Sequence, residues 1–159
     1  MLKVVAFDID GVLTDGNVYV NSLGEEIKKY RLTEIDALND IKKLGFKIAA
    51  ITGEKTPIVE VFKRRIEWDY FADGCKEKLS ELKEVEKFFQ VKREEICYIG
   101  DGKYDIPTIE YAGLGVCPQN AIDDVKRRAD VILNGYGGES CVNELLSLLS
   151  SIIQSQITK

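Results

Sequence analysis

The chain has 159 residues, 45% of them apolar and 31% charged, with a formal net charge of −5; this suits one folded domain with a real core, spanning 1–159. Acidic balance and the lack of a long Lys/Arg block argue against nucleic acid as a main partner, although a bound metal can invert the local field and admit an anionic substrate. With no histidine in the chain, triads, metal sites and acid–base chemistry built on imidazole are excluded, which leaves Asp, Glu, Lys, Thr or Cys for any catalysis.

Residues 2–9 read as a buried central strand, with Asp8 and Asp10 at its end and Gly11 next. Residues two apart share one face of a strand, so both carboxylates can point the same way, and like charges so placed need a cation, a shared proton or open water. Segments 17–20 and 26–30 flank Asn21-Ser22-Leu23-Gly24 and predict a hairpin projecting from the first loop. Thr33 is placed to cap a helix whose inner face is Ile35, Leu38, Ile41 and Leu44, stopped by Gly45. A second strand, 46–51, ends at Thr52-Gly53, and Thr56-Pro57 opens a helix with Ile58, Phe62 and Ile66 inward. A short strand at 69–72 precedes a helix at 76–89 with Leu79, Leu82, Val85 and Phe89 inward.

Strand 95–99 then ends in Gly100-Asp101-Gly102. A helix at 105–111, a strand at 115–117, a helix at 121–128 and a strand at 130–133 follow. The final helix runs from 140 to about 153, with Val142, Leu145, Leu146 and Leu149 inward, and 154–159 are expected to fray or form a tail. Alternating strands and helices predict an α/β fold, a mostly parallel sheet with helices on both faces. Cys75, Cys97, Cys117 and Cys141 match no zinc spacing and read as small buried thiols in a reduced compartment. The acids interrupt the only apolar run near the start, and no stretch reaches membrane-spanning length, so a cytoplasmic protein without a membrane partner is expected.

Taken singly, the polar residues at the strand ends have bland readings. The acid pair can cap a turn, Thr52 can be a turn hydroxyl, Lys78 can be a solvated charge beside Lys76 and Glu77, and Asp105 can cap a helix. Together they imply more, because parallel sheets place ligands at the carboxyl ends of their strands. Three carboxylates, Asp8, Asp10 and Asp101, suit Mg²⁺, with Thr52 and Lys78 opposite to hold a phosphate and backbone N–H groups near Gly11 and Gly53 as further donors. A carboxylate can attack phosphorus to form an aspartyl-phosphate, and a neighbouring one can protonate the leaving oxygen and later activate water.

These motifs resemble the haloacid dehalogenase superfamily of phosphohydrolases. FDIDGVLTDG at 7–16, ITG with Thr52, Lys78 in a G-x-x-x-K run from Gly74, and GDGKYD at 100–105 occur in the family's order. DGVLTDG before a hairpin and a late Gly137-Gly138-Glu139 are similar to the capless 3-deoxy-octulosonate 8-phosphate phosphatases, relatives of nonulosonate 9-phosphate phosphatases. The resemblance implies a Rossmann-like core, a small phosphorylated sugar acid as substrate, and a homotetramer whose hairpins pack together and close a neighbour's site. It implies Asp8 as nucleophile, Asp10 as acid then base with its backbone carbonyl on the metal, and Asp101 as a further Mg²⁺ ligand supported by Asp105. Thr52 and Lys78 would bind the phosphoryl group, with Gly53, Glu54 and Gly138 at the substrate or in the shell behind it.

Several positions depart from the family pattern. Gly102 stands where an aspartate is common, Thr33-Glu34-Ile35 replaces Arg-Asp-Gly, and Asn143 replaces a basic residue. Glu54-Lys55 looks more like the nine-carbon enzymes. A non-catalytic oligomeric or regulatory domain of the same fold, and a phosphate-transferring mutase, are the competing readings.

Overall fold

The structure, a computed structural model, describes residues 1–157. In chain order the elements are β1 (Val4–Phe7), β2 (Tyr19–Val20), β3 (Glu26–Ile27), α1 (Leu32–Lys43), β4 (Lys47–Ile51), α2 (Pro57–Arg65), β5 (Tyr70–Ala72) and α3 (Lys78–Phe89). β6 (Ile96–Ile99), α4 (Ile106–Tyr111), β7 (Leu114–Cys117), α5 (Asp123–Lys126), β8 (Val131–Ile132) and α6 (Cys141–Ile157) complete them. Six strands form one parallel sheet in the order β5-β4-β1-β6-β7-β8.

β1 lies inside the sheet and is buried on both faces, so its four residues are all apolar rather than alternating. Val5 and Phe7 join the core beneath α1, α2 and α6, and Val4 and Ala6 join the core beneath α3, α4 and α5. Helices therefore cover both faces, as the alternating pattern predicts. β2 and β3 form a separate antiparallel ribbon, Tyr19 opposite Ile27, that projects with Val20, Leu23 and Ile27 exposed.

Strands are shorter than the apolar runs suggest, because the sheet hydrogen bonds stop before the side-chain pattern does: β1 ends at Phe7 rather than Ile9, and β8 holds two residues. α1 begins one residue before Thr33, after Arg31, and has no side-chain cap. Thr33 thus falls inside the first turn, where its carbonyl accepts from Asn143 Nδ2 at 3.1 Å. Leu44, expected inward, is the exposed end of that helix. Thr56 and Pro57 do open α2, but the Thr56 hydroxyl makes no capping bond. The final helix outlasts the expected 153 and reaches Ile157; of the expected tail, 158 and 159 lie outside the described residues. Among the described residues no helix is long and apolar enough to cross a membrane.

Candidate active site

The loop after β1 begins as a continuation of the strand. Asp8 N–H still donates to Ile99 O at 2.9 Å, and the chain then turns sharply, with Ile9 O accepting from Val12, Leu13 and Thr14. Gly11 makes that turn at φ +82, and a Cβ there would stand 1.9 Å from Asp101 Oδ2. The loop after β1 and the loop after β6 therefore touch through a position that only glycine can fill. Asp8, Asp10, Thr52, Gly53, Glu54, Lys78, Asp101 and Asp105 all line one open cavity of about 660 Å³. The expectation that residues far apart in sequence gather at the strand ends is met by this geometry.

Lys78, the first residue of α3, organises the floor. Its Nζ lies 2.8 Å from Asp8 Oδ1 and 2.7 Å from Asp105 Oδ1, and its side chain is 7% exposed. Asp105 is further held by Tyr98 OH at 2.6 Å and by the N–H groups of Asp101 and Gly102 at 3.1 and 2.9 Å. Gly102, a departure from the family pattern, therefore serves Asp105 through its backbone. Thr52 Oγ1 is buried and accepts from Glu54 N–H at 3.4 Å. Of the backbone N–H groups near Gly11, its own donates to Thr14 Oγ1 at 3.2 Å.

The electrostatics are those of an overcrowded acid cluster. Burial, then the neighbouring Asp105, raises the Asp8 carboxyl well above its ordinary value, and Lys78 opposes the rise. Burial and Asp105 likewise push Asp101 up to about 6, against Lys78 and a hydrogen bond with Asp8. Burial works against the charge on Lys78, but Asp8 and Asp105 override it and raise the ammonium. Burial and Asp105 keep Tyr98 a protonated donor. Burial, then Glu81, pushes the Cys75 thiol in the cavity up to about 11, so it is no ready nucleophile.

Carboxylate oxygens of Asp8, Asp101 and Asp105 lie within 4.8 Å of one another. Three carboxyl groups beside one ammonium, Lys78, make an all-oxygen set whose crowding a hard divalent cation would relieve, so the residues fit such an ion. Asp10's side chain is not in this set; it turns instead to Lys28, whose Nζ is 2.8 Å from Asp10 Oδ1 and 2.6 Å from Glu54 Oε2.

Gly138 does not line the cavity itself: at φ +70 it packs against the backbone of Thr14 and Asp15 and donates to Val12 O at 2.9 Å, behind the loop that carries Asp8 and Asp10. Glu34 and Asn143, two of the departures from the family pattern, do not line the cavity either. Glu34 is 0% exposed and accepts from the N–H groups of Val142 at 2.7 Å and Asn143 at 3.2 Å, and from the Asn143 side chain. The two departures are therefore partners across the first turn of α6.

Sequence reasoning missed Lys28, Tyr98 and Asn120. Asn120 donates to Gly11 O at 2.9 Å and accepts from Gly137 N–H at 2.7 Å. It also missed Gly16, Cys75, Lys76 and Tyr104 in the cavity lining. A tyrosine pointing inward from a strand looks like core, and nothing local distinguishes Lys28 from Lys29.

Comparison with known proteins agrees with this geometry. The family described as haloacid dehalogenase-like hydrolase matches residues 72–138. The 3-deoxy-D-manno-octulosonate 8-phosphate phosphatase KdsC of Escherichia coli K12 is 28% identical over 148 residues, 93% of this chain and 79% of that protein. The structure of a Pseudomonas syringae pv. phaseolica protein described as a probable YrbI family phosphatase is 31% identical, superposes with a TM-score of 0.89 and is matched over 99% of this chain and 93% of its own. The octulosonate 8-phosphate phosphatase of Moraxella catarrhalis, solved with magnesium ion, phosphate ion and KDO, is 28% identical with a TM-score of 0.87, over 92% of this chain and 84% of that one. On these grounds the chain belongs to the haloacid dehalogenase-like hydrolases, among the phosphatases that lack a cap domain.

Proposed function

We propose that the protein is a Mg²⁺-dependent phosphomonoesterase acting on a sugar-acid phosphate, 3-deoxy-D-manno-octulosonate 8-phosphate or a close analogue. The observation that carries this reading is the convergence of Asp8, Lys78, Asp101 and Asp105 on one cavity at the sheet's carboxyl edge. A carboxylate oxygen of Asp8 attacks phosphorus as the ester P–O bond breaks, giving an aspartyl-phosphate. Asp10 protonates the departing alkoxide. It then takes a proton from water, which attacks phosphorus, breaks the Asp8–P bond and frees inorganic phosphate. Lys78 and Thr52 hold the phosphoryl oxygens and balance their charge.

Asp8, Asp101 and the Asp10 backbone carbonyl would hold Mg²⁺, with Asp105 supporting Asp101 and Lys78. The ion, when bound, neutralises charge developing on the phosphoryl oxygens. The exposed apolar ribbon supports a homotetramer in which hairpins pack together and exclude water from a neighbour's site. Four free thiols among the described residues fit a reducing cytoplasm.

A nine-carbon ulosonate 9-phosphate is the second reading, favoured by Glu54 in the cavity wall. Phosphate release from the eight- and nine-carbon esters and from p-nitrophenyl phosphate, with and without Mg²⁺, tests both. Turnover should require Mg²⁺ and fall by about 10³-fold or more in Asp8→Asn, and kcat/KM decides between the sugar acids. A purified chain that frees no phosphate from any of the three would instead mark a non-catalytic domain of this fold.

A further inference from the structure

Lys28 sits one residue past β3, on the stem of the hairpin, and its side chain is 2% exposed. Its ammonium joins two loops distant in sequence, meeting Asp10 Oδ1 at 2.8 Å and Glu54 Oε2 at 2.6 Å. Lys28 does not line the cavity, whereas both its partners do. It is therefore placed to act on the reaction only through them.

Asp10 has little else to fix it. Its other side-chain contact among the described residues is Thr14 Oγ1 at 3.5 Å, also on Oδ1. That hydroxyl oxygen already accepts from Gly11 and Gly16 N–H, so one O–H is all it can offer Asp10. Both contacts thus fall on Oδ1, and Oδ2 makes none among the described residues. We propose that Lys28 is a positioning residue for phosphoester cleavage: held between Asp10 and Glu54, it locks the Asp10 carboxylate so that Oδ2 meets the leaving oxygen. This rests on the reading of Asp10 as proton donor and acceptor.

The second partner completes the device. Glu54 Oε2 holds the ammonium from the other side at 2.6 Å, so Lys28 has a fixed seat from which to orient the Asp10 carboxyl group. The hairpin also becomes part of the catalytic apparatus of its own chain, through one side chain.

The test uses the full chain with Mg²⁺ and two esters. p-Nitrophenolate leaves without help from an acid, whereas the alkoxide of 3-deoxy-octulosonate 8-phosphate needs a proton. Because kcat/KM reports the steps up to aspartyl-phosphate formation, where only the sugar alkoxide needs the acid, Lys28→Met should lower kcat/KM about 30-fold on the sugar ester but less than about 3-fold on the aryl ester. Lys28→Arg should restore most of the loss. In an Asp10→Asn background, Lys28→Met should add less than about twofold, since the residue through which it acts is gone. Equal losses of kcat/KM on both esters, multiplying losses in the double variant, or an unchanged sugar-ester kcat/KM would each overturn the proposal. If Lys28→Met fails to fold, Lys28→Gln is read by the same criteria. Wild-type protein inert on both esters brings down the phosphatase reading as well; active wild type with an unselective Lys28 variant brings down this proposal alone.

Discussion

Lys78 is placed to serve stability and, on the proposed mechanism, chemistry as well. It is the only cation touching the buried pair Asp8 and Asp105 among the described residues. A surface lysine would be dispensable, but this one neutralises groups that burial has already destabilised. Lys78→Met should therefore slow turnover at least about 100-fold and also destabilise the metal-free protein by roughly 3 kcal/mol, the order found when a buried ion pair loses one member. Urea melts and phosphate-release assays on the same preparation check both; a stable, near-wild-type variant would place Lys78 outside the mechanism. Asp8, Asp10, Thr52, Lys78 and Asp101 were legible in the sequence because each sits at a strand end or helix start, where backbone geometry aims a side chain at the cleft. Tyr98 was not, since its hydroxyl reaches Asp105 from within a strand whose four residues are all buried.

Elements were easier to name than to bound. Apolar spacing identified every strand of the sheet and all six α-helices among the described residues, yet α1 starts after Arg31 and not at a Thr33 cap. What α1 supplies is a cap for another helix: Glu34 binds the first turn of α6, a pairing across 108 residues that no local pattern encodes. Glu34→Ala would strand the Val142 and Asn143 N–H groups and should cost roughly 2 kcal/mol in a denaturant melt, with little effect on KM. A loss of substrate affinity without a loss of stability would instead place Glu34 on the substrate side. The ribbon β2–β3 is the opposite case, an element with almost no core of its own. Val20, Leu23 and Ile27 stand exposed on it, so Val20→Asp with Leu23→Asp should convert the proposed tetramer to monomer in sedimentation and lower activity. A wild-type protein that sediments as monomer removes the tetramer.

For the whole molecule, the acid cluster couples stability to pH and metal. Asp101 rises from an ordinary 3.8 to about 6 on folding, so between those values the folded protein holds a proton that the unfolded chain has released. Metal-free stability should consequently fall as pH climbs from about 4 to about 6, and the raised Asp8 carboxyl adds to the fall in the same direction. Mg²⁺ should remove this penalty; at a hundredfold excess over Kd it adds about 2.7 kcal/mol, or about 5–10 °C in Tm for a chain this size. Scanning calorimetry across pH, with and without Mg²⁺, reads both effects, and identical curves would remove the ion from the site. The α/β class was legible from the alternation of elements, but the strand order was not, because it depends on crossovers that place β1 and β6 side by side. The same crossovers bring positions 11, 120 and 137 together under the Asn120 amide. That amide is a chemical fuse. Spontaneous hydrolysis of its nitrogen during ageing would exchange an NH₂ for a charged oxygen of nearly equal size, setting it against the Gly11 carbonyl at 2.9 Å. The enzyme would grow old by a change of a single atom, keeping its shape while the grip on its catalytic loop turned to repulsion.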